Sequence, residues 1–422
     1  MHGASRCLDI ALSFMTLASI AAVQSSHDTL KRFIHVRGDA RTRGMQLGRA
    51  LKPRITRLYE HRHAMLVKEA AALGSGTVTQ FERNWTALAA AAQSTLQRYS
   101  PVWYQEMLGM AEEDVSMDVL LRMSTEYEAE MYLLALEYGR PLGSPGYHAG
   151  KGGHCSGVAL LDSKALITGQ SNDEDVLGWL NGTLDVVIHS VDSNGLQSLY
   201  YTHPGVGAYM GMNSAGLTVL WQLVDDGTRS NSYHGLPTTV ALRELLTFED
   251  AKEAAKWLCE VPMAIPNNFM LSSYGKAGHL MMNIERSASP GSCNTVTQNS
   301  GYLAHTNHAI YDRNIMDHDL FVNRSKFHEP THETEHRLRA LLSGARQLWD
   351  ARALSFEGVR QLYSIGLPVQ NPDTLATPLF APAIGEMQIR FFEDGNSSES
   401  FQRYCFTHTG SCGTKRLVSI FV

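Results

Sequence analysis

The stretch Gly152-Gly153-His154-Cys155-Ser156-Gly157 sets a thiol between a flexible glycine pair and the apolar run Val158-Ala159-Leu160-Leu161. A thiol at the head of a buried strand, behind backbone that can bend sharply, is a candidate nucleophile. A bare cysteine is more often a small core residue, so its surroundings must decide. The next run, Ala165 to Thr168, follows Asp162-Ser163-Lys164, a hairpin signal, and leads into Gly169-Gln170-Ser171-Asn172-Asp173. Closing that hairpin returns a carboxylate and two amides to the end of the sheet where Cys155 stands. Two readings fit: a nucleophile beside a polar orienting group, or an acidic loop over Asn172-Asp173-Glu174-Asp175.

A second constellation is His332-Glu333-Thr334-Glu335-His336, which matches the His-Glu-Xaa-Xaa-His pattern of zinc sites. It directly follows Pro330-Thr331, where a helix would start and glutamates would favour its dipole. No third ligand is evident, so a polar first turn is expected and no metal. The six cysteines, at 7, 155, 259, 293, 405 and 412, include no Cys-Xaa-Xaa-Cys pair. Cys405 and Cys412 could bridge in an oxidising compartment.

The elements that must position these groups fall into two halves around Cys155. Phe33 to Gly38 reads as a strand, and Ala40 to Leu73 as a helix with Met45, Leu47, Leu51, Ile55, Leu58 and Met65 as core positions. Pro53 is expected to kink or divide it, and Gly44 and Gly48, one turn apart, to mark close helix packing. Phe81 to Tyr99, Tyr104 to Glu113 and Asp118 to Glu130 read as further helices. After Cys155 come hairpins: Leu184 to Val191 with Leu196 to Thr202 around Asp192-Ser193-Asn194-Gly195, and Tyr209 to Met212 with Leu217 to Leu220. Asn213 is expected to fill a left-handed turn position. Helices at Thr238 to Leu246 and Phe248 to Leu258 precede a hairpin of Phe269 to Ser272 with His279 to Ile284. Glu335 to Leu348 and Phe356 to Ser364 return to helix, and Glu386 to Phe391 and Arg416 to Phe421 to strand. The order suits two antiparallel sheets stacked face to face with helices outside, an α+β fold.

Of the 422 residues 44% are hydrophobic and 18% charged, so the chain can bury a large core. A net charge of −6 without a long basic run excludes nucleic acid as a main partner. Residues 1–30 read either as a secretory signal, with Asp9 interrupting its apolar run, or as a frayed first helix. No later run is long enough to span a bilayer. Sequons at Asn84, Asn181, Asn323 and Asn396 would fit a secreted glycoprotein, and short motifs also arise by chance.

From about Arg37 to Arg337 the sequence resembles the acyl-coenzyme A:6-aminopenicillanate (isopenicillin-N) acyltransferase family of N-terminal-nucleophile hydrolases. The residues that carry the resemblance are Arg43-Gly44-Xaa-Xaa-Leu47-Gly48, Glu106 to Glu112, Cys155-Ser156-Gly157-Val158-Ala159, Gly169-Gln170-Ser171-Asn172-Asp173, Gly211 to Leu217, and His305-Thr306-Asn307-His308. It implies a four-layer αββα sandwich made as a precursor and cleaved autocatalytically at His154–Cys155. A mainly helical α chain, residues 31–154, would then stay associated with a β chain, residues 155–422. It also implies that Cys155 is the nucleophile, that Asn307 stabilises the oxyanion, and that Asp173 stands close to the nucleophile, orienting its α-ammonium or taking part in cleavage. The freed α-amine of Cys155, with a reference pKa of about 8, would serve as the base for its own thiol, so no Cys–His pair is required. His305 and His308 are expected to pack and hydrogen-bond around the sheet.

The departures lie close to this chemistry. His154 stands where the penicillin-forming enzyme has glycine, Asn172 where the family has tryptophan, and Thr374 to Ala383 lacks that enzyme's serine–arginine pair. Ser419-Ile420-Phe421-Val422 is not a peroxisomal signal, unlike that enzyme's C-terminus. The expected substrate is a linear amide or other small acyl donor, cleaved through a thioester on Cys155, with no cofactor. An acyl-coenzyme A-dependent N-acyltransferase of secondary metabolism, taking acyl-coenzyme A as co-substrate, is the nearest alternative. A non-catalytic binding module that keeps the fold is another.

Overall fold

Asp39 closes strand β1 (Phe33–Gly38) and caps helix α1 (Ala40–Ala72), its side chain accepting from Thr42 N at 2.7 Å. The computed structural model describes residues 32–138, 155–174, 177–224, 234–288, 292–312, 332–364, 369, 373–392 and 400–406. From Phe33 on they belong to one unit. Residues 1–30, His154, Asn323, Arg324-Ser325, Asn396, Cys412 and Arg416 to Phe421 lie outside the described residues.

Helix α1 is not divided at Pro53 and continues past it as one element. The missing Pro53 N–H costs a helix bond, but Leu47, Leu51, Ile55 and Leu58 continue one buried stripe across it. Helices α2 (Thr77–Tyr99) and α3 (Pro101–Glu112) follow, the latter opening on a proline at its first turn. The helix expected over Asp118 to Glu130 is two, α4 (Met117–Ser124) and α5 (Glu126–Tyr138), because the Thr125 hydroxyl bonds back to Leu121 and Arg122 carbonyls. Gly44 and Gly109 bring α1 and α3 together: a Cβ on Gly44 would stand 2.0 Å from the Glu106 carbonyl oxygen.

The stranded half begins with β2 (Ser156–Leu161) and β3 (Leu166–Asp173), joined through an Asx turn in which Asp162 accepts from Lys164 N and Ala165 N. Every residue of β2 is buried, as its unbroken apolar run requires. Next come β4 (Val186–Asp192), β5 (Gln197–Thr202), β6 (Met210–Asn213), β7 (Leu217–Leu223), helices α6 (Thr238–Leu245) and α7 (Ala251–Glu260), β8 (Asn267–Ser273), β9 (Leu280–Arg286), β10 (Cys293–Gln298) and β11 (Gly301–His305). Helices α8 (His332–Asp350) and α9 (Phe356–Leu362) precede β12 (Thr374–Ala381), β13 (Glu386–Phe391) and β14 (Gln402–Cys405).

Two sheets result, ordered β1-β4-β5-β6-β7-β8-β9-β10 and β11-β2-β3-β12-β13-β14. The expectation of wholly antiparallel sheets needs one correction, since β1 pairs with β4 in parallel. No hairpin joins these two strands, and the helices between them let the chain re-enter from the same end. Strands β10, β12 and β14 also escaped the sequence pattern: β10 is polar and half-exposed, and β12 carries Pro378 in its middle. Helices α1, α6 and α7 pack on the first sheet and α8 and α9 on the second, while β2 and β3 face β7 and β8.

A polar layer registers the two sheets. Gln170 on β3 donates to the Trp221 carbonyl at 2.6 Å and accepts from Trp221 N, while Gln222 bridges Gln170 and Asn268. Gly157 leaves room for that bridge, since a Cβ there would sit 2.3 Å from Gln222 Nε2.

One further expectation is overturned by this geometry. Asn213 does not take a left-handed conformation; Gly216 does, with φ of 102°. Asn213 instead ties the turn with its side chain, accepting from Ala215 N and Leu217 N and donating to the Leu246 and Phe248 carbonyls. Cys259 and Cys293 form a disulfide between α7 and β10 that spacing did not suggest. Cys405 is also disulfide-bonded.

Candidate active site

Cys155 immediately precedes β2 and is 1% exposed. Antiparallel pairing of β2 with β3 sets Ser156 opposite Ser171, so Asn172 and Asp173 return to the cysteine's end of the sheet, as the hairpin required. On its other edge β2 pairs with β11, whose last residue, His305, lies opposite Gly157 and hands the chain on to Asn307. Three separate segments thus converge through strand register alone.

The thiol lies 4.0 Å from Asn172 Oδ1. Burial above all, and then the charge of Asp173, push it up to about 12, against the Asp173 N–H, the Arg337 charge and the Gln170 side chain. While the chain is continuous through residue 155, the thiol is therefore held protonated. Asp173 is fully buried and accepts from Thr374 Oγ1 at 2.6 Å and Ser171 Oγ at 3.0 Å.

Asn307 is fully buried as well. Its Nδ2 donates to the Leu223 carbonyl at 3.1 Å, and its backbone N–H donates to Thr334 Oγ1. An amide nitrogen has two protons, so one remains for a second acceptor. The loop is pinned on both sides of Asn307 by Glu285, which meets His305 Nε2 at 2.9 Å and accepts from the backbone N–H groups of Tyr311 and Asp312. Burial pushes the Glu285 carboxyl up, but these hydrogen bonds and the His305 charge outweigh it and bring it below its ordinary value. His308 bonds Thr306 and Thr334, and burial, reinforced by His305, lowers it to about 4. Both histidines are thus structural hydrogen-bonding groups around the loop.

Arg337 is a site residue that the motif reading did not single out. From α8 its Nη1 donates to the Cys155 carbonyl at 2.8 Å and to Ser156 Oγ at 2.7 Å, and its Nη2 to Asn307 Oδ1 at 3.0 Å. One planar guanidinium therefore bridges the candidate nucleophile and the candidate oxyanion donor. The sequence signal was present: Arg337, Leu341 and Ala345 share the buried stripe of α8 at intervals of four, and a charge there needs a partner.

The His332 to His336 stretch opens the same helix. Thr334 and Arg337 face inward, whereas His336 is exposed, and no cluster of three or more metal-ligating side chains occurs among the described residues. The side chains of His332 and Glu333 lie outside them.

Away from the thiol, the other motifs build the scaffold. Arg43 Nε donates to Glu106 Oε1 at 3.0 Å, Arg243 Nε donates to Glu106 Oε2 at 3.0 Å, and Arg43 Nη1 pairs with Asp192. This buried network locks α1, α3 and α6 to the first sheet. No helix among the described residues is long and apolar enough to cross a membrane.

Comparison with solved structures finds penicillin V acylase from Agrobacterium tumefaciens, at 15% identity and a TM-score of 0.35 over 60% of this chain and 86% of that one. A variant of conjugated bile acid hydrolase from Clostridium perfringens follows at 12% identity and 0.33, over 62% and 100%. No curated protein matches the chain. The family model described as acyl-coenzyme A:6-aminopenicillanic acid acyl-transferase matches residues 169–396, a span that begins after Cys155 and holds Asp173, Asn307 and Arg337. More than half of the sequence lies within that match, and the chain belongs to the acyl-coenzyme A:6-aminopenicillanic acid acyl-transferase family.

Proposed function

We propose that the protein is an autoprocessed cysteine amidohydrolase, with a four-layer αββα N-terminal-nucleophile fold, that cleaves a linear amide through a thioester on Cys155. The observation that carries this reading is the Arg337 fork, which ties the Cys155 carbonyl to Asn307. Family membership supports it.

In processing, Cys155 Sγ attacks the His154 carbonyl carbon, and the oxyanion is met by an Asn307 N–H. The C–N bond breaks, the thiol proton passes to the departing Cys155 nitrogen, and water hydrolyses the thioester. The products are an α chain ending at His154 and a β chain starting at Cys155. Processing changes the proton chemistry, because an amide nitrogen with no basicity becomes an amine of reference pKa about 8. That amine takes the proton of a thiol which burial otherwise keeps neutral.

In turnover, the amine-activated sulfur attacks the substrate carbonyl and Asn307 donates to the oxyanion. The resulting α-ammonium, oriented by Asp173, protonates the leaving amine. Water then releases the acyl group; an amine in its place would give acyl transfer.

N-terminal sequencing of the purified protein tests the reading. A fragment beginning Cys-Ser-Gly-Val-Ala is the expected result, and an uncleaved chain that turns over substrate would overturn it. Incubation with acyl donors, with and without a free amine, separates hydrolysis from transfer by the mass of the product.

A further inference from the structure

We infer that Asn172 is a positioning residue for the Cys155 thiol, held in one orientation by a buried chain of side chains through Tyr201 and Asp185 to His203. The inference rests on Cys155 being the nucleophile, as proposed above, and gives a purpose to the position where this chain departs from the family's tryptophan.

The chain of contacts is continuous and crosses between the sheets. Asn172 on β3 presents Oδ1 to the thiol at 4.0 Å and donates through Nδ2 to Tyr201 OH on β5 at 3.3 Å. Tyr201 OH donates to Asp185 Oδ2 at 2.5 Å, and Asp185 Oδ1 meets His203 Nδ1 at 2.5 Å. His203 stacks on Trp179 at 4.0 Å between ring centroids, with the edge of Tyr209 at 4.4 Å. All four members of the chain are 0–1% exposed.

Donor counting fixes the direction. A phenol has one O–H, and Tyr201 spends it on the Asp185 carboxylate. Its oxygen can then only accept, which requires the NH₂ of Asn172 to face Tyr201 and the carbonyl to face Cys155. A flipped amide would set two acceptor oxygens against each other and turn two N–H donors toward the sulfur. Burial, with the charge of Asp185 behind it, keeps the Tyr201 phenol protonated far above neutral pH. The carbonyl dipole therefore receives the S–H and opposes early loss of its proton. This leaves the proton for the α-amine, the only base that processing creates. The charged groups around this arrangement are Asp173 and Arg337 beside the thiol, and Asp185 and Glu174 beside Tyr201.

The test follows cleavage before Cys155 in full-length chain made by cell-free translation, timed from pH 5 to 9. Alkylation of Cys155 by iodoacetamide, read by peptide mass spectrometry, gives the second profile. Tyr201→Phe frees the amide to flip its N–H donors toward the sulfur, and is expected to move the rising limb of both profiles down by about one pH unit, the scale of roughly one neutral hydrogen bond. Asn172→Asp sets a carboxylate beside both thiol and amine, and is expected to move the rising limb of both profiles up by about one pH unit. Asn172→Ser, which removes the carbonyl without adding bulk, carries the same expectation as Tyr201→Phe should the latter not fold. Variants that cleave at the wild-type rate with unmoved profiles, whatever their melting temperatures, would overturn the role of Asn172 alone. A wild-type chain in which residue 155 never becomes an N-terminus would overturn the nucleophile reading itself.

Discussion

The guanidinium of Arg337 donates to the carbonyl oxygen of Cys155 at 2.8 Å, across 182 residues of sequence. The same group reaches Asn307, so helix α8 ties the Cys155 end of β2 to the loop after β11. Replacing it with lysine keeps a charge but loses the fork. Arg337→Lys is expected to slow appearance of the Cys155 N-terminus at least tenfold. Arg337→Met, leaving three buried neutral acceptors unmet, is expected to destabilise the fold by about 1–3 kcal/mol for each acceptor that finds no other donor. Timed gel analysis and denaturant melts check the pair, and wild-type processing in Arg337→Lys would refute the first.

Asn307 is the proposed oxyanion donor, with one Nδ2 proton already committed to Leu223. Asn307→Ala is expected to reduce kcat on an amide substrate by about 10²–10³-fold with little change in KM, the usual cost of removing one such donor. Steady-state kinetics on protein already carrying the Cys155 N-terminus would separate this from slow processing. A loss confined to KM would show that Asn307 binds ground-state substrate instead.

Gly44 has no room for a side chain, because a Cβ would fall 2.0 Å from the Glu106 carbonyl oxygen and 2.8 Å from its Cα. Gly44→Ala must push α1 from α3 and disturb the Arg43–Glu106 pair. A loss of about 1–3 kcal/mol is expected, measured as a fall in melting temperature; an unchanged melt would show that the helices separate freely.

Glu128 on α5 is buried and accepts from Thr238 N at the start of α6 at 3.0 Å. Burial pushes its carboxyl up to about 7, against the Thr238 hydrogen bonds. With the folded value above the unfolded 4.5, the native state binds the proton more tightly, so this group's contribution to stability falls as pH rises from 4.5 to 7. Glu128→Gln cannot ionise. Its melting temperature relative to wild type is expected to rise between pH 5 and pH 8, by the equivalent of at most about 3 kcal/mol. Parallel melting curves across that range would refute this.

How much of this was legible in the sequence depends on the range of the interaction concerned. The switch from helix to strand at Cys155 and the hairpin that returns Asp173 rest on apolar periodicity and on turn residues such as Asp162 and Gly195, which act within a few neighbours. Gly44 and Gly48 likewise signalled close packing before any partner was known. Motif order added Asn307 and the family. Local chemistry could not foresee the parallel pairing of β1 with β4, the strand through Pro378 or the Cys259–Cys293 disulfide, since each depends on a partner far along the chain. Arg337 and the Asn172–Tyr201–Asp185–His203 chain belong to the same class. A buried charge or amide announces that it needs a partner, but only the stacking of two sheets and the docking of α8 decide which oxygen it meets.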